Sequence, residues 1–231
     1  GETAGKYDVI VMEDLAYFCM DFREDLSKPG EPPFQPTVAK YTNNYILFIS
    51  SSKIFSYAGQ RIGLMIISDP LFARDYPDLQ KRFGGTDFGS TITLRLLYAL
   101  SSGTCHSAQY AMAAMLKKAN EGSFNFVEDV KEYGEKAKVM KRLFLENGFE
   151  IVYKNDLDRP VADGFYFTLS YPGMTGNQLV ENLLYYGISA IALDNTGSCE
   201  EGIRACVSFV KREQFADLKK RLKLFNEQFS S

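Results

Sequence analysis

Residues 45–68 read YILFISSSKIFSYAGQRIGLMIIS. Two apolar runs, residues 45–50 (YILFIS) and 62–68 (IGLMIIS), flank a short polar link. Each has the length and apolar continuity of a buried strand. Ser51, Ser52 and Lys53 follow the first run directly, so they stand at the carboxyl end of a strand. In open α/β sheets, ligands bind just outside those ends. Gly59 and Gly63 frame Arg61 in a G-x-R-x-G turn that enters the second run. Arg61 lies eight residues after Lys53, across a link that can fold back over one crevice.

Upstream, residues 8–14 (DVIVMED) predict another buried strand, parallel to its neighbours, closing on Asp14-Leu15-Ala16-Tyr17. Residues 1–7 (GETAGKY) read as the end of a helix leading into it, an unusual way for a domain to begin. Residues 23–36 are rich in Pro, Gly and charge and predict a surface loop. Downstream, Asp69 is placed as an N-cap with Pro70 in the first turn of a helix. Residues 87–122 carry apolar side chains at spacings of three and four, the mark of helices. Residues 124–147 predict a long amphipathic helix stopped by Gly148. The pattern then changes to short strands at 150–153, 164–170, 188–193 and 203–209, with helices at 175–186 and 212–229. Gly202-Ile203-Arg204 enters the last strand. The pattern predicts two domains: residues 1–120, part of an α/β domain with a mostly parallel sheet, and residues 121–231, a smaller α+β domain.

Composition narrows the function classes. Of the 231 residues, 45% are hydrophobic and 24% charged, which excludes wholesale disorder. The net charge is −3, so there is no basic footprint for nucleic acid. No run of about 18 apolar residues occurs, so no membrane span is expected. Nothing near residue 1 resembles a secretion signal. Cys19, Cys105, Cys199 and Cys206 include no CxxC pair, and His106 is the single histidine, so no metal set is expected. The thiols are expected to be buried or half-buried in a reducing cytoplasm. One histidine, at the start of a helix, also removes most triad chemistries.

Each short motif is common alone. A D-x-x-Y is usually a turn, a serine run before Lys a surface loop, and a lone Arg in an edge strand a solvated or ion-paired residue. In this order, with the S-x-Q helix opening at residues 107–109 and the P-x-A-D-G-F-Y-F strand at 160–167, the chain resembles the fold-type-I pyridoxal-phosphate enzymes, specifically the class I/II aminotransferases. The resemblance runs through nearly all of the sequence. It implies the cofactor pyridoxal 5′-phosphate, held as a Schiff base on Lys53, whose amine then shuttles the substrate proton. Asp14 would pair with the pyridine nitrogen and Tyr17 with the cofactor's 3′ oxygen. Ser50 and Arg61 would hold the phosphate, with Ser52 as a second hydroxyl. Arg204 would clamp the substrate α-carboxylate.

The same resemblance marks what the chain lacks. No N-P-x-G motif is present, nor the Gly-containing phosphate turn and ring-stacking aromatic of the family's earlier strands. The sequence therefore reads as the C-terminal portion of an aminotransferase, with little activity alone. Missing strands would bare a sheet edge and an apolar face, so the chain should aggregate, pair with a second copy or need the missing half. The expected activity is amino transfer between an amino acid and a 2-oxo acid in a parent homodimer. Two alternatives stand beside it: a lyase of the same fold, which the same residues can serve, and a non-catalytic ligand-sensing aminotransferase-like domain, against which the full set of catalytic-type residues counts. Phe55, Tyr57 and Phe88 are candidates for pocket walls or for ordinary core packing. Residues 194–201 (DNTGSCEE) are read first as a solvated loop.

Overall fold

The fold is that of a computed structural model, which describes residues 1–28, 30–162 and 164–230. It divides into two units: Gly1–Cys19 with Leu26–Val127, and Met20–Asp25 with Glu128–Ser231.

The first unit is built on a three-stranded sheet in the order β1 (Val11–Leu15), β2 (Tyr45–Ser50), β3 (Gly63–Ile67). β1 runs parallel to β2, with Asp14 opposite Phe48. β3 runs antiparallel to β2, with Ser50 opposite Gly63. The expected parallel character thus holds for only one of the two pairings. The link at 51–62 holds only a four-residue helix and a turn, not a helix long enough to carry the chain back across the sheet, so β3 returns antiparallel. Side chains alternate across a strand. Met12, Asp14, Ile46, Phe48, Ser50 and Met65 therefore share one face, and Glu13, Leu15, Leu47 and Ile49 the other. On that second face Glu13 accepts hydrogen bonds from Thr37 Oγ1 at 2.8 Å and the Val38 amide at 2.9 Å. β1 is not the doubly buried strand its composition predicts, because Met12 is 67% exposed.

Helices fill the rest of the unit. The helix Asp69–Phe72 is capped by Ser68, whose Oγ accepts from the Leu71 amide at 3.3 Å. Asp69 and Pro70 are its first two residues, so the cap lies one residue before the expected Asp69. The region predicted as plain α-helix contains a π-helix, Thr91–Leu97, between Phe88–Ser90 and Tyr98–Ser101. Thr93 Oγ1 donates to the Gly89 carbonyl at 2.8 Å. This back-bond competes for a carbonyl that the α-helical ladder would otherwise use. The helix His106–Asn120 follows.

The second unit has a four-stranded antiparallel sheet, order β4 (Glu150–Ile151), β7 (Tyr166–Ser170), β9 (Ile203–Cys206), β8 (Ile191–Ala192). A two-stranded ribbon, β5 (Asn155–Asp156) and β6 (Arg159–Pro160), was not legible as strands. Strict alternation sends Phe167, Leu169, Ile203 and Ala205 inward. They meet Leu143, Phe144, Leu179, Leu183, Leu222 and Phe225 from the helices Phe126–Leu145, Gly176–Tyr185 and Phe215–Phe229 in one core. The P-x-A-D-G-F-Y-F stretch includes Asp163, which lies outside the described residues.

Candidate active site

Ser50 ends β2 and begins a short helix, Ser51–Ile54, as its N-cap, accepting from the Ser52 amide at 3.1 Å. Ser51 is fully buried, and its hydroxyl donates to the Ile62 carbonyl, tying the helix to the start of β3. Ile54 is buried beneath the same turn. Ser50 and Lys53 thus stand three residues apart on one rigid turn. The chain then passes through a turn at Ala58–Gln60 to Arg61, whose backbone is left-handed (φ 53°, ψ 45°). Arg61 Nη1 donates to the Ala58 carbonyl at 3.0 Å. Gly63 completes the approach: a Cβ there would sit 2.8 Å from the Ile49 carbonyl oxygen.

At the carboxyl ends of β1 and β2 a cavity of about 720 Å³ opens. Asp14, Ser50, Ser52 and Arg61 all line it, beside Phe48, Gly63, Thr93, Thr104 and Gln109. Its polar content is one carboxylate, one guanidinium, the hydroxyls of Ser50, Ser52, Thr93 and Thr104, and the Gln109 amide, on otherwise apolar walls. Asp14 makes a local turn, accepting from the Ala16 amide at 2.9 Å. Among the described residues neither Asp14 nor Arg61 has an ion-pair partner, and they do not pair with each other. Both charges are therefore available to a ligand. Lys53 and Tyr17 are not among the lining residues; Lys53 is half-buried and Tyr17 is exposed.

The remaining predicted groups sort as follows. Arg204 is on β9, in the second unit, between β7 and β8. It is thus on an interior strand, half-buried, and no carboxylate among the described residues pairs with it. Its guanidinium carbon lies 4.2 Å from the centroid of the Tyr166 ring, and its buried Nε has no hydrogen-bond partner among the described residues. Phe55 packs edge-on against Phe126 at 4.9 Å and Phe88 against Tyr76 at 5.5 Å, and none of Phe55, Tyr57 and Phe88 lines the cavity. The acidic loop is more than a solvated link, because two of its carboxylates hold the start of a helix. Glu201 accepts from the Gly176 amide at 2.6 Å, and Asp194 from Asn177 Nδ2 at 2.8 Å. The four thiols are free, but only Cys19 is buried and Cys206 half-buried; Cys105 and Cys199 are exposed, against expectation. Burial pushes the Cys19 thiol up to about 11. Sequence reasoning gave no role to Thr93, Thr104 and Gln109; only the S-x-Q at 107–109 marked their neighbourhood.

The profile of the aminotransferase class I and II family matches residues 2–222, and the chain belongs to that family. No curated protein matches the sequence closely enough to count. Solved structures share the fold. The α-aminoadipate aminotransferase LysN of Thermus thermophilus, solved with N-(5′-phosphopyridoxyl)-L-leucine, has a TM-score of 0.66 at 18% identity. Escherichia coli YbdL, described as having a methionine aminotransferase function, gives 0.69 at 16%, and the alanine aminotransferase of Pyrococcus furiosus 0.67 at 16%. These matches cover 98%, 96% and 98% of this chain but only 52%, 51% and 51% of theirs. The chain spans about half the length of the structures it matches. Among the described residues no helix is long and apolar enough to cross a membrane.

Proposed function

We propose that the chain is part of a pyridoxal 5′-phosphate-dependent aminotransferase that moves an amino group from an amino acid to a 2-oxo acid. One observation carries this reading: a carboxylate, a guanidinium and the hydroxyls of Ser50 and Ser52, with neither charge spent on an ion pair among the described residues, line a single cavity at adjacent strand ends. That donor set fits a phosphorylated pyridine. Arg61, Ser50 and Ser52 hold the phosphate, the guanidinium by its planar fork. Asp14 keeps a proton on the pyridine nitrogen, and Tyr17 donates to the 3′ oxygen. Lys53 would be the amine that holds the cofactor, and it would take and return the proton at the substrate Cα. Arg204 takes the substrate α-carboxylate. When bound, pyridoxal phosphate supplies the electron sink for the pair left on the substrate Cα.

Family membership supports the cofactor and reaction class. The larger reading also assigns residues 1–120 to the cofactor-binding domain and 121–231 to the small domain of a homodimeric parent. Free thiols throughout fit a reducing cytoplasm. The test is a borohydride trap: incubate the chain with pyridoxal phosphate, reduce, and map adducts by peptide mass spectrometry. A single pyridoxyl group on Lys53, lost in Lys53→Ala, is the expected result. Adducts scattered over surface lysines, or none, would overturn the Lys53 assignment for this chain.

A further inference from the structure

Arg204 occupies an unusual electrostatic position. It is half-buried on β9, and its direct cross-strand neighbours are Thr168 and Ile191. Thr168 Oγ1 already accepts from the Tyr153 amide at 3.1 Å, and Ile191 has nothing to offer a cation. Among the described residues no carboxylate pairs with Arg204. A half-buried charge left this way needs some other support. The contact that supplies it is Tyr166, which lies diagonally across the ladder: Arg204 faces Thr168, while Tyr166 faces Cys206. Diagonal pairs are within reach when one partner is aromatic and the other long. The Arg204 guanidinium sits over the Tyr166 ring, 4.2 Å from its centroid.

We propose that Tyr166 is a positioning residue for the substrate carboxylate: its ring face holds the Arg204 guanidinium, leaving the two terminal nitrogens as an end-on fork for both oxygens of a planar carboxylate. This rests on the reading of Arg204 given above and deepens it. The geometry selects the fork. Nε is buried and unpartnered, so it is closed to an incoming ligand. Contact through the flat face spends none of the in-plane N–H donors, which are those that bind a carboxylate. The phenol hydroxyl takes no part in this contact, so phenylalanine should serve equally well.

The test uses the 231-residue chain with maleate as the carboxylate probe, its binding measured by titration calorimetry in every variant and the Arg204 Nε–Hε group followed by NMR where that residue is present. In the wild type that proton should lie upfield of ordinary arginine positions, shielded by the ring, and should move as maleate is added. Tyr166→Phe should keep the upfield position and hold maleate within about twofold of wild type. Tyr166→Leu should lose the upfield position and bind roughly tenfold more weakly. Arg204→Gln should abolish binding. If Arg204→Gln loses maleate but Tyr166→Leu binds like wild type, the role of Tyr166 is overturned and the clamp stands. If Arg204→Gln binds like wild type, or the wild type does not respond to maleate, both fall. An ordinary wild-type Hε position overturns the Tyr166 role without any variant having to fold.

Discussion

Arg61 pairs a backbone cost with a ligand role. Its left-handed φ of 53° is one that a non-glycine residue adopts at a cost of roughly 1–2 kcal/mol. Yet the same turn brings its side chain to the wall that carries Asp14, Ser50 and Ser52. Strain kept at such a position is commonly tied to function. The two effects separate in Arg61→Gly, which relieves the backbone and deletes the guanidinium. Its thermal midpoint should equal or exceed that of the wild type. Its affinity for pyridoxal phosphate should fall roughly ten- to hundredfold, the scale of a lost charged hydrogen-bond pair. Pyridoxal, which lacks the phosphate, should bind both proteins alike. An equal loss for both compounds in a binding titration would remove Arg61 from the phosphate site. From sequence, the spacing of Lys53 and Arg61 is legible, but the conformation is not, because a positive φ at arginine has no compositional mark.

The elements were legible where one physical signal dominated. β2 spans the residues its apolar run implies, since both its neighbours are strands and nothing frays it. β7 and β9 alternate cleanly because one face meets the core and the other does not. The π-helix was hidden because Leu94, Leu97 and Tyr98 keep helical spacing whichever ladder the backbone adopts. Ser68 and Asp69 both cap helices well, so composition alone could not choose between them. The G-x-R entry to β9 has a firmer basis. Gly202 has φ 145°, and a Cβ there would lie 2.4 Å from the Leu169 carbonyl oxygen, a backbone atom that cannot step aside. Gly202→Ala must therefore shift β9 from β7 or break the pairing that begins at Leu169 and Ile203. A loss of at least about 2 kcal/mol is expected, combining backbone strain with overpacking. Urea denaturation followed by circular dichroism would measure it, and an unchanged midpoint would show that the strand start is softer than this geometry implies.

At the scale of the whole molecule, the first unit leaves apolar surface uncovered. A groove of about 430 Å³ is lined only by apolar residues, among them Met12, Ile46, Phe48, Met65, Leu97 and Leu100. Met12 and Leu100 are 67% and 79% exposed, and among the described residues β1 pairs with β2 alone. A strand edge with its hydrogen-bonding groups free, beside an apolar trough, is a template for association. An apolar face on this sheet could be read from the runs at 8–14 and 45–50. Which side chains form the trough could not, since this depends on the register that sets Met12 beside Ile46. The chain should therefore self-associate as its concentration rises, with a weight-average mass above the monomer value in sedimentation equilibrium. Met12→Lys places a charge at the edge and in the trough together, a device that natural edge strands use against pairing. It should shift the distribution towards monomer at equal concentration while leaving the far-ultraviolet circular dichroism unchanged. If the variant associates as strongly as the wild type, the contact lies elsewhere. The exposed Leu94 and Tyr98 would then be the next residues to charge, because they lie four apart in sequence and so on one helical face.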